Sequence, residues 1–126
     1  MAAFQADDGY EEPHVIAEIG CNHMGSMEIA KELMKLAKDS GCAYAKFQKR
    51  CPKELLTEEQ YNKPHPVPHN AYGPTYGAHR EFLEFTVEQH RELWEYGKTI
   101  GIDGMRELAR YLRTEVAPVP VVRRVA

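Results

Sequence analysis

The sequence has few of the features that mark secreted, membrane or metal-binding proteins. It contains three cysteines, Cys21, Cys42 and Cys51, and no CxxC pair, so neither a disulfide framework nor a zinc site is indicated. No apolar run approaches the ~20 residues that a membrane-spanning helix needs, and the acidic first segment lacks the apolar stretch of a secretion signal. We therefore expect reduced thiols, no membrane partner and a cytoplasmic location.

Positive charge is not in excess either. The 16 lysines and arginines are outnumbered by 19 acids, and the mixed signs along the helical stretches leave no basic stripe for nucleic acid. Among the six histidines no two are spaced i, i+4 on a helical pattern, and His65 and His69 lie in a proline-rich loop. An autonomous metal site is therefore not indicated.

What the sequence does contain is the pattern of a parallel βαβ unit. Val15–Gly20 reads as a buried strand with one acid inside it, and Ala43–Lys49 reads as a second strand. Between them Ser26–Ser40 is amphipathic, with Ser26 as N-cap and Gly41 where a left-handed residue would end a helix. A strand, helix and strand within about 35 residues predict an α/β fold with parallel strands.

The remaining segments are less regular. Residues 1–14 are expected to form a flexible leader, and residues 50–78 a long loop with a helical turn near residues 54–61. Thr86 and Gln89 form a capping-box pair before a second helix that ends at Gly101. We expect residues 15–101 to hold two βα units.

A third strand should follow that second helix, but its pattern is not clear. Residues 102–126 instead resemble a divergent tail, a helix followed by an extended segment rich in proline and valine. Two βα units cannot cover both faces of a parallel sheet or close a barrel, so the chain is expected to be part of a larger domain.

Three polar side chains lie near the carboxyl ends of the two strands, where α/β proteins bind ligands. Glu18 shares a side of the first strand with Ile16, and Lys46 and Gln48 share a side of the second with Tyr44. The arrangement is consistent with an ion pair between Glu18 and Lys46, or with a lysine that holds an anionic ligand.

Two further segments are candidates. Asn22 and His23 follow the first strand in a turn that leads into a helix, where His23 could serve acid–base chemistry or cap the turn. Residues 72–80 bring aromatic and cationic groups from the long loop, although an ordinary surface loop has the same composition.

The stretch IAEIGCNHMGSMEIAKELMKLAKDSGCAYAKFQK resembles the start of the sialic acid synthase family, whose signature is AEIGxNHxG followed by KFQ. YGPTYGAHREFLEFT is similar to the segment before the family's second barrel helix. The resemblance covers about residues 15–102 and is absent afterwards.

This resemblance implies an N-terminal fragment of a (β/α)8 TIM barrel, a fold that a small antifreeze-like domain follows in the family. It implies condensation of phosphoenolpyruvate with N-acetylmannosamine or a related N-acyl sugar, with release of phosphate. A divalent cofactor, manganese or magnesium, and a homodimer are also implied. The family's metal ligands and its C-terminal dimerising domain lie beyond the matching region.

Carried over residue by residue, the resemblance makes Glu18 the catalytic candidate, which contacts the sugar and exchanges a proton with its oxygen. Lys46 would hold phosphoenolpyruvate with Gln48 beside it. Asn22 and His23 would shape the pocket. Tyr76 would line the substrate loop.

Alternatives to an N-acetylneuraminate synthase remain open. The chain could belong to a synthase for legionaminic or pseudaminic acid, because sugar choice depends on contacts outside the matching region. It could also be a noncatalytic interaction fragment that complements a second polypeptide. An inactive fragment of the enzyme is the expectation for the chain alone.

Overall fold

The computed structural model describes residues 9 and 11–104 and contains three parallel strands separated by helices. The elements in chain order are β1 (Ile16–Gly20), α1 (Met27–Asp39), β2 (Tyr44–Phe47), α2 (Pro52–Leu55), α3 (Glu58–Asn62), a 3-10 turn (Pro68–Asn70), α4 (Tyr76–Phe82), α5 (Val87–Ile100) and β3 (Asp103–Gly104). The α/β class and the parallel strands that the sequence predicts are confirmed.

Helix α1 begins and ends where the sequence predicts. The Ser26 hydroxyl accepts a hydrogen bond from the Ile29 N–H at 3.3 Å, which satisfies one of the free donors of the first turn. Gly41 has a φ of 82°, a conformation that costs glycine little and ends the helix without strain. The predicted caps of α1 are therefore confirmed.

Helix α5 is capped as predicted at both ends. Thr86 and Gln89 form a reciprocal capping box, each side chain bonding the other residue's backbone N–H. Gly101 has a φ of 76° and terminates the helix. The Lys38 ammonium donates to the Gly101 carbonyl at 3.1 Å, which ties the end of α5 to the end of α1.

A short third strand follows Gly101, at the place where a strand is expected but the sequence pattern is not clear. β3 pairs in parallel with β2, with Tyr44 opposite Asp103 and Ala45 opposite Gly104. A strand of two residues is too short to show an alternation of apolar and polar side chains, so the sequence pattern could not indicate it. The predicted tail from residue 105 onward lies outside the described residues.

The connection after β2 is also more helical than predicted. It contains α2, α3, the 3-10 turn and the start of α4, where the sequence indicated a loop with one helical turn. A capping box of Thr57 and Gln60 begins α3. Gly77 allows α3 and α4 to approach closely, since any side chain at Gly77 would overlap the ring of Tyr61.

Helices α1 and α5 pack against the strands on one face of the sheet. Helix α1 packs on β1, β2 and α5, and the buried strand residues Ala45 and Phe47 point toward this side. Glu18 and Lys46 lie opposite each other on the other face, where both side chains are partly exposed. No helix in the described part of the chain is long and apolar enough to cross a membrane.

A histidine occupies the centre of the core. His90 on α5 is 1% exposed, and its ring lies 5.9 Å from Phe85 and 6.5 Å from Phe47 between centroids. Neither ring nitrogen has a hydrogen-bond partner within residues 11–104. Burial, followed by the charges of Lys49 and His23, lowers the pKa of His90 from 6.5 to about 4.

We expect His90→Phe to stabilise the chain and to weaken its acid sensitivity. A phenyl ring of similar size removes two unpaired polar atoms, which should raise the free energy of unfolding by about 1–2 kcal/mol at pH 7.5. In the native chain the neutral ring stabilises the fold fully above pH 6.5, and this stability is lost as the pH falls toward 4. Urea unfolding at several pH values would measure both effects.

The matched control is His69→Ala, because His69 is exposed. Its unfolding free energy should follow the native pH dependence. An equal loss of stability for native and His90→Phe chains between pH 7 and pH 5 would contradict a neutral buried imidazole at this position.

Candidate active site

The carboxyl ends of β1 and β2 lie side by side, and they bring Glu18 and Lys46 together as the sequence predicts. The Lys46 ammonium lies 2.5 Å from the Glu18 carboxylate, with side chains 33% and 50% exposed. An exposed pair of this kind adds little to stability, about 0–1 kcal/mol. The ion pair is confirmed, and its exposure leaves both groups accessible to a ligand. Their roles toward substrates stay predictions.

A bulge precedes the turn at the end of β1. The pairing with β2 shifts between Glu18 and Gly20, and Gly20 takes a φ of 56°. The chain then turns through Cys21, Asn22 and His23 into α1. This places the turn directly beside the Glu18–Lys46 pair.

His23 belongs to the core instead of the surface. It is 2% exposed, and its ring stacks on Phe85 with centroids 3.9 Å apart. Its Nδ1 accepts a hydrogen bond from the Gly25 N–H at 3.0 Å, which caps the turn. Burial lowers the pKa of His23, so the ring is neutral and accepts this bond. The capping role is confirmed, whereas Asn22 beside it is exposed.

The other two candidates from the sequence, Gln48 and Tyr76, lie in different parts of the structure. Gln48 is half-buried directly after β2, close in the chain to Lys46. Tyr76 begins α4, and its ring lies 5.9 Å from that of His65 and 6.1 Å from that of His79. Tyr76 therefore belongs to an aromatic group of the long connection, and its place in a substrate pocket stays a prediction.

Glu84 is a residue of this edge that sequence reasoning missed. Its side chain is 8% exposed, and its Oε2 accepts from the Arg50 N–H at 2.8 Å and lies 3.4 Å from the Lys49 ammonium. Its Oε1 is buried without a hydrogen-bond partner among the described residues. The sequence signal that could have indicated it is an acid between two apolar residues, Leu83 and Phe85, both of which are buried in the structure.

The charges of Arg50 and Arg80 both act on the Cys21 thiol at the end of β1. Burial raises the pKa of the Cys21 thiol, Arg80 and Arg50 lower it, and the carboxylates of Glu84 and Glu18 raise it. All four charged groups therefore act on one sulfur atom at the end of β1. Arg50 lies three residues after the end of β2 and was not among the candidates from the sequence.

The described residues do not fit a divalent metal. Within residues 9 and 11–104 no group of three or more His, Cys, Asp and Glu side chains is placed to hold an ion. No chemical step is therefore assigned to a metal on these residues.

Parallel strands joined through helices, with the Glu18–Lys46 ion pair near their carboxyl ends, define an α/β protein. The geometry is compatible with part of a (β/α)8 barrel. The NeuB family model matches residues 33–106, and the chain belongs to the NeuB family.

Similar proteins carry related names. N-acetylneuraminate-9-phosphate synthase of Homo sapiens is 39% identical over 99 residues, covering 75% of this chain and 27% of the human protein. The Drosophila melanogaster protein of the same name is 39% identical over 90 residues, 71% of this chain and 24% of its own. N,N'-diacetyllegionaminic acid synthase of Campylobacter jejuni is 31% identical over 88 residues, 70% of this chain and 26% of its own. The chain thus spans about a quarter of the length of these relatives.

We expect Glu84→Ala to destabilise the fold at the carboxyl ends of β1 and β2, which we call the carboxyl edge, and Glu84→Gln to do so much less. Alanine leaves the Arg50 N–H without its acceptor, which should lower the unfolding free energy by about 1–3 kcal/mol. Glutamine keeps a carbonyl oxygen for that bond. Urea unfolding would measure the difference, with exposed Glu32→Ala as the control. Equal stability of the alanine and native chains would refute the anchoring role of Glu84.

Proposed function

We propose that this chain provides the first two βα units, residues 15–101, of a synthase that joins phosphoenolpyruvate to an N-acyl sugar. Carbon 3 of the enol attacks the sugar aldehyde, water adds at carbon 2, and phosphate leaves, so that a nonulosonic acid forms. The observation that carries the proposal is the accessible Glu18–Lys46 pair at the carboxyl ends of two parallel strands. Membership of the NeuB family and the names of the relatives support it.

Lys46 would bind the anionic groups of phosphoenolpyruvate. Its ammonium is paired with Glu18, but the Lys46 side chain is one-third exposed. An incoming anion can therefore reach the ammonium without a change in the strand pairing. A lysine acts toward phosphate as a compact point charge. Gln48, two residues further along the chain, can donate an amide hydrogen bond to the same ligand.

Glu18 would act on the sugar. Its carboxylate can accept a hydrogen bond from a hydroxyl and can exchange a proton with the aldehyde oxygen as the carbon–carbon bond forms. The ion pair with Lys46 keeps the carboxylate beside the other substrate. Positioning of the two substrates at one strand edge would then lower the entropic part of the barrier.

The remaining candidates would shape the pocket. Asn22 is exposed in the turn after β1 and can bond to either substrate. His23 would act through the turn that it caps, because its ring is buried. Tyr76 would contact the substrate from the long connection.

The nature of the sugar is open between two classes. The human and fly relatives are named for a nonulosonic acid that carries a 9-phosphate, and the bacterial relatives for N,N'-diacetyllegionaminic acid. Because phosphoenolpyruvate adds three carbons ahead of the sugar, a phosphate on carbon 9 of the product stands on carbon 6 of the sugar. N-acetylmannosamine and its 6-phosphate are the first substrates to compare.

We expect Lys46→Met to weaken binding of phosphoenolpyruvate about tenfold or more, because a charge-assisted contact to the ligand is lost. Glu18→Gln should leave phosphoenolpyruvate binding within a few-fold. Isothermal titration of the chain with phosphoenolpyruvate measures both. Phosphate release in the presence of N-acetylmannosamine and manganese tests whether the chain also turns over.

Lys35→Met is the matched control, since Lys35 forms an exposed ion pair with Asp39 on α1, away from the strand ends. Its affinity for phosphoenolpyruvate should equal that of the native chain. Native affinity in the Lys46→Met chain would show that Lys46 does not hold this substrate, and absence of binding to the native chain would count against the proposed site.

A further inference from the structure

Two histidine rings meet edge to face in the long connection after β2. The centroids of the His65 and His79 rings are 4.4 Å apart, and the ring planes are inclined at 62°. His79 on α4 is 8% exposed, and His65 is half-buried in the segment between α3 and the 3-10 turn. Two imidazolium ions at this distance would repel each other, because the protein screens charges less well than water does. The contact therefore favours neutral rings.

His79 holds part of the connection through an acceptor atom. Its Nδ1 accepts a hydrogen bond from the Tyr72 N–H at 3.2 Å, and the Tyr72 ring stacks on the His79 ring with centroids 5.7 Å apart. The backbone of Gly73 lies so close to α4 that a Cβ there would be 2.8 Å from the Ala78 Cβ. Because a protonated Nδ1 is a donor and cannot accept, protonation of His79 breaks the bond to Tyr72.

His65 makes a second contact that depends on its proton. Its Nδ1 lies 3.0 Å from the Val67 nitrogen and 2.8 Å from the Val67 carbonyl oxygen, so a donor and an acceptor are both within reach. An unprotonated Nδ1 accepts from the Val67 N–H, whereas a protonated Nδ1 donates to the carbonyl. Protonation of His65 therefore also changes how the ring is bonded to its own segment.

The surroundings of the two rings offer no negative charge to offset protonation. In the part of the chain that the structure describes, no carboxylate is bonded to either ring. Arg80 on α4 adds a positive charge that acts on His79. The Glu81 carboxylate of α4 accepts the Tyr61 hydroxyl of α3 at 2.8 Å and lies 3.6 Å from the ammonium of Lys53 on α2. The other titratable side chains of α2, α3 and the segment are exposed, apart from the Tyr76 ring that lies beside both histidines: Glu54, Glu58, Glu59, Lys63 and His69.

We propose that His65 and His79 form a pH-dependent latch, which holds residues 64–75 on α4 while both rings are neutral and releases them when the rings are protonated. Burial, followed by the charges of His65 and Arg80, lowers the pKa of His79 from its usual 6.5. The latch is therefore fully closed above pH 6.5 and is lost as the pH falls through the lowered pKa of His79.

The latched segment lies next to the carboxyl edge. The Tyr72 ring stacks on the Phe82 ring with centroids 4.8 Å apart, and Phe82 packs on Gly25 in the turn after β1. Release of the segment would therefore uncover Phe82 beside this turn. The inference needs no step of the proposed function, since none of its measurements uses a substrate.

The test is hydrogen exchange of the chain followed by mass spectrometry, with rates corrected for the intrinsic effect of pH on exchange. Between about pH 7.5 and pH 5.5 we expect the protection of residues 64–75 to fall by up to about tenfold for each histidine that gains a proton. In His79→Gln the protection of these residues should no longer change over this range. In His65→Phe the fall should be smaller, and the pKa of His79 from NMR titration should rise, because the neighbouring charge is removed.

His69→Ala is the matched control, because it removes an exposed histidine from the same segment and should keep the native pH dependence. Helix α5 is the internal reference for unfolding of the core through His90. Its pH dependence should persist in His79→Gln and should disappear in His90→Phe, whereas residues 64–75 should show the reverse. Circular dichroism would verify that the variants are folded, and His65→Phe tests the latch by itself if His79→Gln is not.

Three results would overturn the latch. One is native protection of residues 64–75 that does not change between pH 7.5 and pH 5.5, or that is already absent at pH 7.5. Another is the same pH dependence of these residues in the native, His79→Gln and His65→Phe chains. The third is loss of protection in residues 64–75 and α5 together in every variant, which would show unfolding of the whole chain instead of release of the segment.

Discussion

Parallel hydrogen bonding between β1 and β2 sets Glu18 directly opposite Lys46. The same register fixes where the turn after β1 and the segment after β2 begin. A shift of one residue would turn either side chain to the face that the helices cover. There an acid or an ammonium would lose its hydration, which costs several kcal/mol per ion. The buried residues Ala45 and Phe47 oppose such a shift, because they pack in the core on the helix-covered face and a shift would remove them from it.

The edge is extended by contacts that come from the long connection. Glu84 binds the backbone of Arg50, and Phe82 packs on Gly25, so that α4 is held against both strand ends. These contacts explain why an acid is buried between Leu83 and Phe85. It anchors the backbone at the end of β2, and its Oε1 is buried without a hydrogen-bond partner among the described residues.

Histidine rings form part of the core beneath this edge. His23 is stacked on Phe85 and bonded to the turn, whereas His90 lies near Phe85 and Phe47 and neither of its nitrogens has a hydrogen-bond partner in residues 11–104. Both rings contact Phe85, but their burial differs in free-energy cost. The hydrogen bond that His23 accepts offsets part of the cost of removing its ring from water. The core below the site is thus sensitive to acid through His90 in particular.

The sequence by itself determined the parallel βαβ unit, the caps of α1 and α5 and the place of Glu18 and Lys46 near the strand ends, whereas the structure decided that the two side chains form an ion pair. These depend on short-range periodicity, on capping residues such as Ser26 and on the alternation of faces in a strand, all of which are local. The NeuB motif was equally local. The tertiary structure alone decided the third strand, the burial of His23 and the hydrogen bond from the Arg50 backbone to Glu84. Those features depend on contacts between residues some thirty positions apart or more, for which no periodicity exists in the chain.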